Sequence, residues 1–153
     1  FLWVGATNAI RSGRGSRLLS GIRIDSVWRR AASLPTRASA AQALDLRTSG
    51  PGGTAVVVED ESGNPIGLLE DDALRAIPEL SRGSVPVTSV MVRQPDGWVV
   101  EATPDQSIAT VVSAMQRLGI GAVPVRGPDG RIDGIVLAAD LEAALSRGSA
   151  RRT

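Results

Sequence analysis

Hydrophobic positions in this chain fall into short β-branched runs, paired across turn residues and followed by stretches with helical spacing. The clearest instance is residues 121–145, GAVPVRGPDGRIDGIVLAADLEAAL. Residues 122–125 are one apolar run, Gly127-Pro128-Asp129-Gly130 is a turn, and residues 132–137 are a second β-branched run. After it, Leu137, Leu141, Ala144 and Leu145 recur at spacings of four, seven and eight, which places them on one face of a helix.

The same pattern is written once earlier, in residues 55–74, AVVVEDESGNPIGLLEDDAL. A shift of 67 aligns Ala55 with Ala122, Val56 with Val123, Val58 with Val125, Gly63 with Gly130, Gly67 with Gly134 and Leu74 with Leu141. Six identities in twenty positions, with both glycines in register, indicate an internal duplication. Two copies are too few for a solenoid, so the expected architecture is two similar α/β units about a pseudo-twofold axis.

The remaining pattern completes both units. In the first, residues 25–32 carry a short helical signal, Leu34-Pro35 is an extended step, and Ser39 with Gln42 forms a capping box for a helix ending near Arg47. Residues 48–53 read as a loop, 54–59 and 65–69 as strands, and a helix from about Asp71 stops near Pro78. Residues 81–86 link the units. In the second, Ser89-Val90-Met91 echoes Ser26-Val27-Trp28, residues 98–100 form a short strand, and Thr103-Pro104-Asp105-Gln106 supplies a cap and helix start. Ile108, Val111, Val112, Met115 and Leu118 make one apolar stripe, and Gly119 is placed to end that helix.

Composition narrows the chemistry. The 153 residues include no cysteine and no histidine, which excludes disulfides, thiolate metal sites, a Ser/His triad, an H-E-x-x-H zinc site and a histidine base on this chain. All 17 basic residues are arginine. Residues 1–54 carry net +6 and residues 55–153 net −5. A basic first third is compatible with nucleic acid or a membrane surface; the lack of lysine and of stacking aromatics argues against nucleic acid.

Residues 1–10, FLWVGATNAI, are mostly apolar and run into Arg11, Arg14 and Arg17 spaced by Gly and Ser. Ten residues are too few to span a bilayer, which takes about twenty. Two readings are open: the last turns of a spanning helix with Trp3 near the interface and the arginines on the cytoplasmic side, or part of an ordinary buried helix. The basic linker favours the first, with Phe1, Leu2, Trp3 and Val4 left exposed.

Residues 103–141, TPDQSIATVVSAMQRLGIGAVPVRGPDGRIDGIVLAADL, resemble a cystathionine-beta-synthase (CBS) domain: a capped helix ending in Gly, a small-apolar-Pro-Val strand, an Asp-Gly turn, a Gly-apolar-apolar strand and an Asp-apolar helix start. With the weaker first copy the resemblance extends over about residues 22–147. It implies an α/β (α+β) fold of two CBS repeats, each a small sheet with flanking helices, packed as a disc-like pair that regulates an attached protein. The expected divisions are 1–21 (end of a spanning helix and basic linker), 22–80 (repeat 1), 81–88 (linker), 89–147 (repeat 2) and 148–153 (tail). A CBS-mediated homodimer is a partner such a pair allows.

The junction FLWVGATNAIRSGR before a CBS pair resembles that of bacterial site-two proteases, membrane-embedded zinc metalloproteases. This implies a location at the cell membrane with the pair in the cytoplasm, and zinc only in a protease part outside this chain. Regulatory parts of transporters or channels and a free-standing interaction module are the alternatives. The fragment itself is expected to be no enzyme.

The resemblance also implies an adenosine nucleotide (AMP, ADP or ATP) in clefts between repeats, with Asp140, Leu137, Val123 and Pro124 as its binding positions. In the family the second strand ends Gly-apolar-apolar-Ser/Thr-x-x-Asp, the hydroxyl meeting phosphate and the Asp accepting from ribose. Here Gly134-Ile135-Val136-Leu137-Ala138-Ala139-Asp140 keeps the Asp and lacks the hydroxyl. The first copy, Gly67-Leu68-Leu69-Glu70-Asp71-Asp72-Ala73, has neither, so binding is expected to be weak and confined to the second.

Plainer roles stand beside these. Asp140 at a helix start is favourable without any ligand, and Pro124 also marks a strand edge. Glu59-Asp60-Glu61 and Glu70-Asp71-Asp72 read as solvated surface before a magnesium site. Gly13-Arg14-Gly15 is a linker with no strand leading into it, and Met115 and Trp98 belong to the core.

Overall fold

The computed structural model describes residues 21–48 and 54–150; the expectations for residues 1–20, the loop at 49–53 and the last three residues lie outside these. Among the described residues, chain contacts divide it into two units, one of Arg30–Asp96 and one in which residues 21–29 group with residues 97–150.

The first of these holds β1 (Arg29–Pro35, all but its first residue), α1 (Ala40–Thr48), β2 (Ala55–Glu59), β3 (Pro65–Leu69), α2 (Asp71–Arg75) and β4 (Val92–Arg93). β1 runs parallel to β2, and β2–β3 and β3–β4 are antiparallel. The capping box forms as expected: Ser39 N–H donates to Gln42 Oε1 at 2.9 Å and Gln42 N–H to Ser39 Oγ at 3.3 Å, satisfying two N–H groups that α1 leaves without helical partners. Val56, Val58, Leu69, Leu74 and Val87 close the core with Ala40 and Ala43.

The second unit holds β5 (Val100–Glu101), α3 (Ala109–Leu118), β6 (Ala122–Arg126), β7 (Ile132–Leu137) and α4 (Ala138–Ala150). β5 is parallel to β6, and β6 antiparallel to β7. Ile108, Val111, Val112 and Met115 are at most 2% exposed against Val123, Val125, Val136 and Leu141, while Leu118 is only half-buried. Gly119 stops α3 in the left-handed conformation, φ 65°, which costs a residue without Cβ little.

The duplication is visible atom by atom. Val58↔Gly67 corresponds to Val125↔Gly134, both ladders slip at the next residue, between Val58/Glu59 and Val125/Arg126, and the turn glycines have φ 81° and 82°. The 3-10 turns Ile24–Ser26 and Val87–Ser89 end on Val27 (φ −128°, ψ −3°) and Val90 (φ −122°, ψ −5°), so the Ser-Val echo is structural too.

Two local expectations fail for the same reason, long-range pairing. Residues 25–32 hold one 3-10 turn and then strand, because Ala31 to Pro35 form a parallel ladder with β2 that overrides the helix preference of Arg and Ala. At the second capping sequence, Thr103 N–H does donate to Gln106 Oε1 at 2.7 Å, but α3 begins only at Ala109. Backbone groups of residues 104–108 are taken by the N-terminal segment instead: Ile24 N–H bonds Gln106 O, Asp25 N–H bonds Pro104 O, and Ile108 N–H bonds Ile22 O, at 2.8–3.0 Å.

The two echoed tripeptides explain both strand glycines. A Cβ on Gly134 would collide with the Trp28 indole and stand 3.0 Å from Arg29 O; one on Gly67 would meet Met91 Sδ at 2.7 Å and Val92 O at 3.2 Å. Trp28 and Met91 are the last residues of the two echoed tripeptides, each seated on a strand glycine.

Candidate functional site

Asp140 lies in the first turn of α4, directly after β7, where the unpaired N–H groups of the helix favour a carboxylate. The helix start is tied down by Ala138 N–H donating to Gly121 O at 2.8 Å, which anchors the end of β7 to the start of β6. Asp140 is only part-buried, its side chain 23% exposed.

Arg29 reaches it from the N-terminal segment. Nε donates to Oδ2 at 2.6 Å and Nη2 to Oδ1 at 2.9 Å, a bidentate fork that engages both carboxylate oxygens. Arg29 gets there because Gly134 has no side chain: Trp28 lies flat against the bare strand and carries the next residue to the head of α4. The hydrogen bonds that Arg29 donates to Asp140 hold its guanidinium above its usual pKa, against the opposing effect of burial. Nothing in sequence spacing pointed to Arg29; its position beside Trp28, opposite a strand glycine, is the only signal, and it is legible only once that contact is known.

Three of the four sequence-predicted positions, Val123, Pro124 and Leu137, lie on one hairpin but not all on one face, and the fourth, Asp140, follows it on α4. The rungs are Ala122↔Leu137, Val123↔Val136 and Pro124↔Ile135. Side chains alternate along a strand, so Val123 enters the core with Val136, both fully buried, and Pro124 and Leu137 lie on the opposite face. Val123 can offer a ligand only its backbone. Pro124 sits one residue before the β5–β6 ladder, which covers Val125 and Arg126 alone, so its missing N–H breaks no β5 bond. Leu137 is half-buried and carries no hydroxyl.

In the first repeat the corresponding turn is closed on itself. Asp71 is ion-paired with Arg47 Nε and with Arg75 Nε, each at 2.9 Å, bracing α1 against α2, and Ala73 stands where Asp140 does in the second. The acidic run at residues 59–61 is local as well: Asp60 Oδ1 accepts from Ser62 N–H and Asn64 N–H, both at 2.9 Å, shaping the turn. Among the described residues no group of carboxylates could hold a metal ion.

Comparison with known proteins fits this architecture. Residues 87–147 match the model of the CBS domain family. No curated protein matches the sequence. Solved structures share the fold: a conserved CBS domain protein of unknown function from Thermoplasma acidophilum (24% identity, TM-score 0.53, covering 84% of this chain and 71% of that one), and the CBS domain of a bacterial CNNM/CorC family Mg2+ transporter in complex with ATP (15%, 0.52, 89% and 91%). A protein of M. jannaschii is also similar (20%, 0.54, 82% of this chain); of it this chain spans only 60%. Residues 87–147 thus match the CBS domain family, and the fold, built from an internal repeat, resembles that of CBS-pair structures.

Proposed function

We propose that this CBS pair is the cytoplasmic regulatory region of a larger membrane protein, a site-two-type zinc metalloprotease, and that it responds weakly to an adenosine nucleotide. The observation that carries the ligand reading is Asp140, a part-buried carboxylate on the first turn of α4 with an arginine beside it. A ribose diol needs an acceptor and a phosphate needs a cation, and the two side chains supply one of each. Binding exchanges partners: the diol donates to Asp140, and Arg29, released from it, serves the phosphates in place of the hydroxyl that Leu137 lacks. Ala73 offers no acceptor, so one nucleotide binds per chain. A similar fold, the transporter CBS domain with ATP, supports the compatibility of this architecture with adenine nucleotides.

Membrane attachment rests on the apolar residues 1–10 and the arginine-rich Gly/Ser linker after them. Among the described residues no helix is long and apolar enough to cross a membrane. The partners in this reading are the membrane through residues 1–21, the rest of the same polypeptide, and a second copy of the pair; nucleic acid is not among them. Zinc would belong to the protease part, since this chain has neither His nor Cys.

Isothermal titration of the chain and of Asp140→Ala with AMP, ADP and ATP tests the ligand. One site lost in the variant supports the reading; two equivalent sites or an unaffected variant refute it, and absence of binding in both leaves a docking module. The transporter relative favours one alternative, the regulatory part of a transporter. The reading frame upstream decides: H-E-x-x-H within hydrophobic segments supports the protease, and a transport domain there replaces it.

A further inference from the structure

At the other end of β6 from Leu137, about 13 Å away along the strand, the chain forms a groove of about 300 Å³ lined by Glu101, Ala102, Thr103, Gln106, Arg126 and the hairpin tip at Gly127, Pro128 and Gly130. Its floor is fixed by backbone bonds: Ala102 N–H donates to Arg126 O at 3.1 Å, Gly127 N–H to Arg131 O at 2.9 Å, and Gly130 N–H to Gly127 O at 3.0 Å. Arg126 lines the groove, and the Nε of its guanidinium is shut off from solvent with no hydrogen-bond partner. A buried donor on a charged group is costly to leave unpaired, so the Arg126 guanidinium has bonding capacity that nothing among the described residues uses.

The lining is balanced in charge. Glu101 is the ladder partner of Arg126 in the parallel β5–β6 pair, yet among the described residues the two form no ion pair. Gln106 Oε1 is used by Thr103 N–H, which leaves its Nε2 as a donor; the Thr103 hydroxyl donates to Asp105 Oδ1 at 2.6 Å, which leaves its lone pairs as acceptors. Two donor groups, the Arg126 guanidinium and Gln106 Nε2, therefore line the groove with two acceptors, the Glu101 carboxylate and Thr103 Oγ. A simple anion would meet Glu101 and nearby Asp105; a simple cation would meet Arg126.

We propose that this groove binds a small zwitterion of the α-amino-acid kind, its carboxylate on Arg126 and Gln106 and its ammonium on Glu101 and Thr103. It is independent of the Asp140 site and does not rest on the nucleotide reading. The groove is of a size for a small side chain, and its apolar share is Ala102 and Pro128.

The test is a titration of the ¹⁵N-labelled full chain with L-alanine, followed by acetate, methylammonium and inorganic phosphate. L-Alanine is expected to move the amides of Ala102, Thr103, Gly127 and Gly130 saturably and leave that of Asp140 in place. Acetate and methylammonium each bind at least about tenfold more weakly, having one half of the contacts. Arg126→Gln and Glu101→Gln each weaken alanine by about tenfold, and Glu101→Gln spares acetate. Should Arg126→Gln lose amide dispersion, Glu101→Gln alone decides. No saturable shift with alanine, phosphate or acetate binding as tightly as alanine, or variants that bind like the parent would overturn the assignment.

Discussion

Arg29 and Asp140, 111 residues apart in sequence, are joined by two hydrogen bonds of 2.6 and 2.9 Å. The pair ties the N-terminal segment to the head of α4 and occupies both oxygens of the one carboxylate that the sequence marks for a ribose. In the proposed nucleotide reading the ribose competes with Arg29 for Asp140, and measurable consequences come from that contact and its surroundings.

The pair itself is half-exposed on the arginine side, 47%, so solvent screens it. A double-mutant cycle of Arg29→Ala and Asp140→Ala, read by urea unfolding at low salt, should give a coupling of about 0.5 to 1 kcal/mol, at the upper end for exposed pairs because the geometry is bidentate. In about 1 M NaCl, where charges are screened within about 3 Å, the coupling should shrink markedly. A salt-independent coupling would point to packing by the Arg29 stem.

Competition predicts an unusual sign for the unphosphorylated nucleoside. Adenosine has no group for Arg29, so Arg29→Ala should raise its affinity by about threefold to tenfold and Asp140→Ala should abolish binding. Weaker adenosine binding in Arg29→Ala would contradict competition and make Arg29 a contact to the nucleoside.

Gly134→Ala drives a methyl into the Trp28 ring and against Arg29 O, and should cost about 1 to 3 kcal/mol of unfolding free energy. Gly67→Ala meets chiefly the flexible end of Met91 and should cost less. Shortening Trp28 in the Gly134→Ala background should recover part of the loss if the ring is the obstacle; full additivity would place the strain in the backbone.

The Thr103 hydroxyl, donating to Asp105, holds that carboxyl below its ordinary pKa. A depressed folded-state value stabilises above the unfolded pKa, and the contribution disappears as the pH falls through the folded one. Thr103→Val should therefore raise the Asp105 pKa in an NMR titration and flatten the acid limb of the stability profile. An unchanged titration would remove the hydroxyl from the account.

Two leucines separate core from surface. Leu141 is fully buried against the Val123–Val136 cluster, and Leu141→Ala should cost about 2 to 5 kcal/mol. Leu80 is fully exposed, and Leu80→Ala should stay within about 0.5 kcal/mol of the parent. A large loss at Leu80 would mean that this side chain is covered in solution.

What the sequence determined by itself is whatever neighbouring residues encode. β3 and β7 fall where the apolar runs do, Pro65–Leu69 and Ile132–Leu137; the turn glycines, the Ser39–Gln42 cap and the Gly119 stop follow from local dihedral and hydrogen-bond preferences. The repeat was legible because both copies must solve the same packing problem with the same alternation, down to the paired slips at Val58 and Val125. Only the tertiary structure decided the rest. Residues 21–29 group with the second repeat, since Trp28 finds its bare strand at Gly134 and the backbone of residues 22–25 finds partners at 104–108. That pairing displaces the start of α3 and brings Arg29 onto Asp140. Contacts between residues some eighty to one hundred and ten positions apart leave no periodic trace in either stretch. They depend on which surface each segment meets once the strands have formed, and a bare glycine on a strand reads the same before that meeting whether a tryptophan, a methionine or water will cover it.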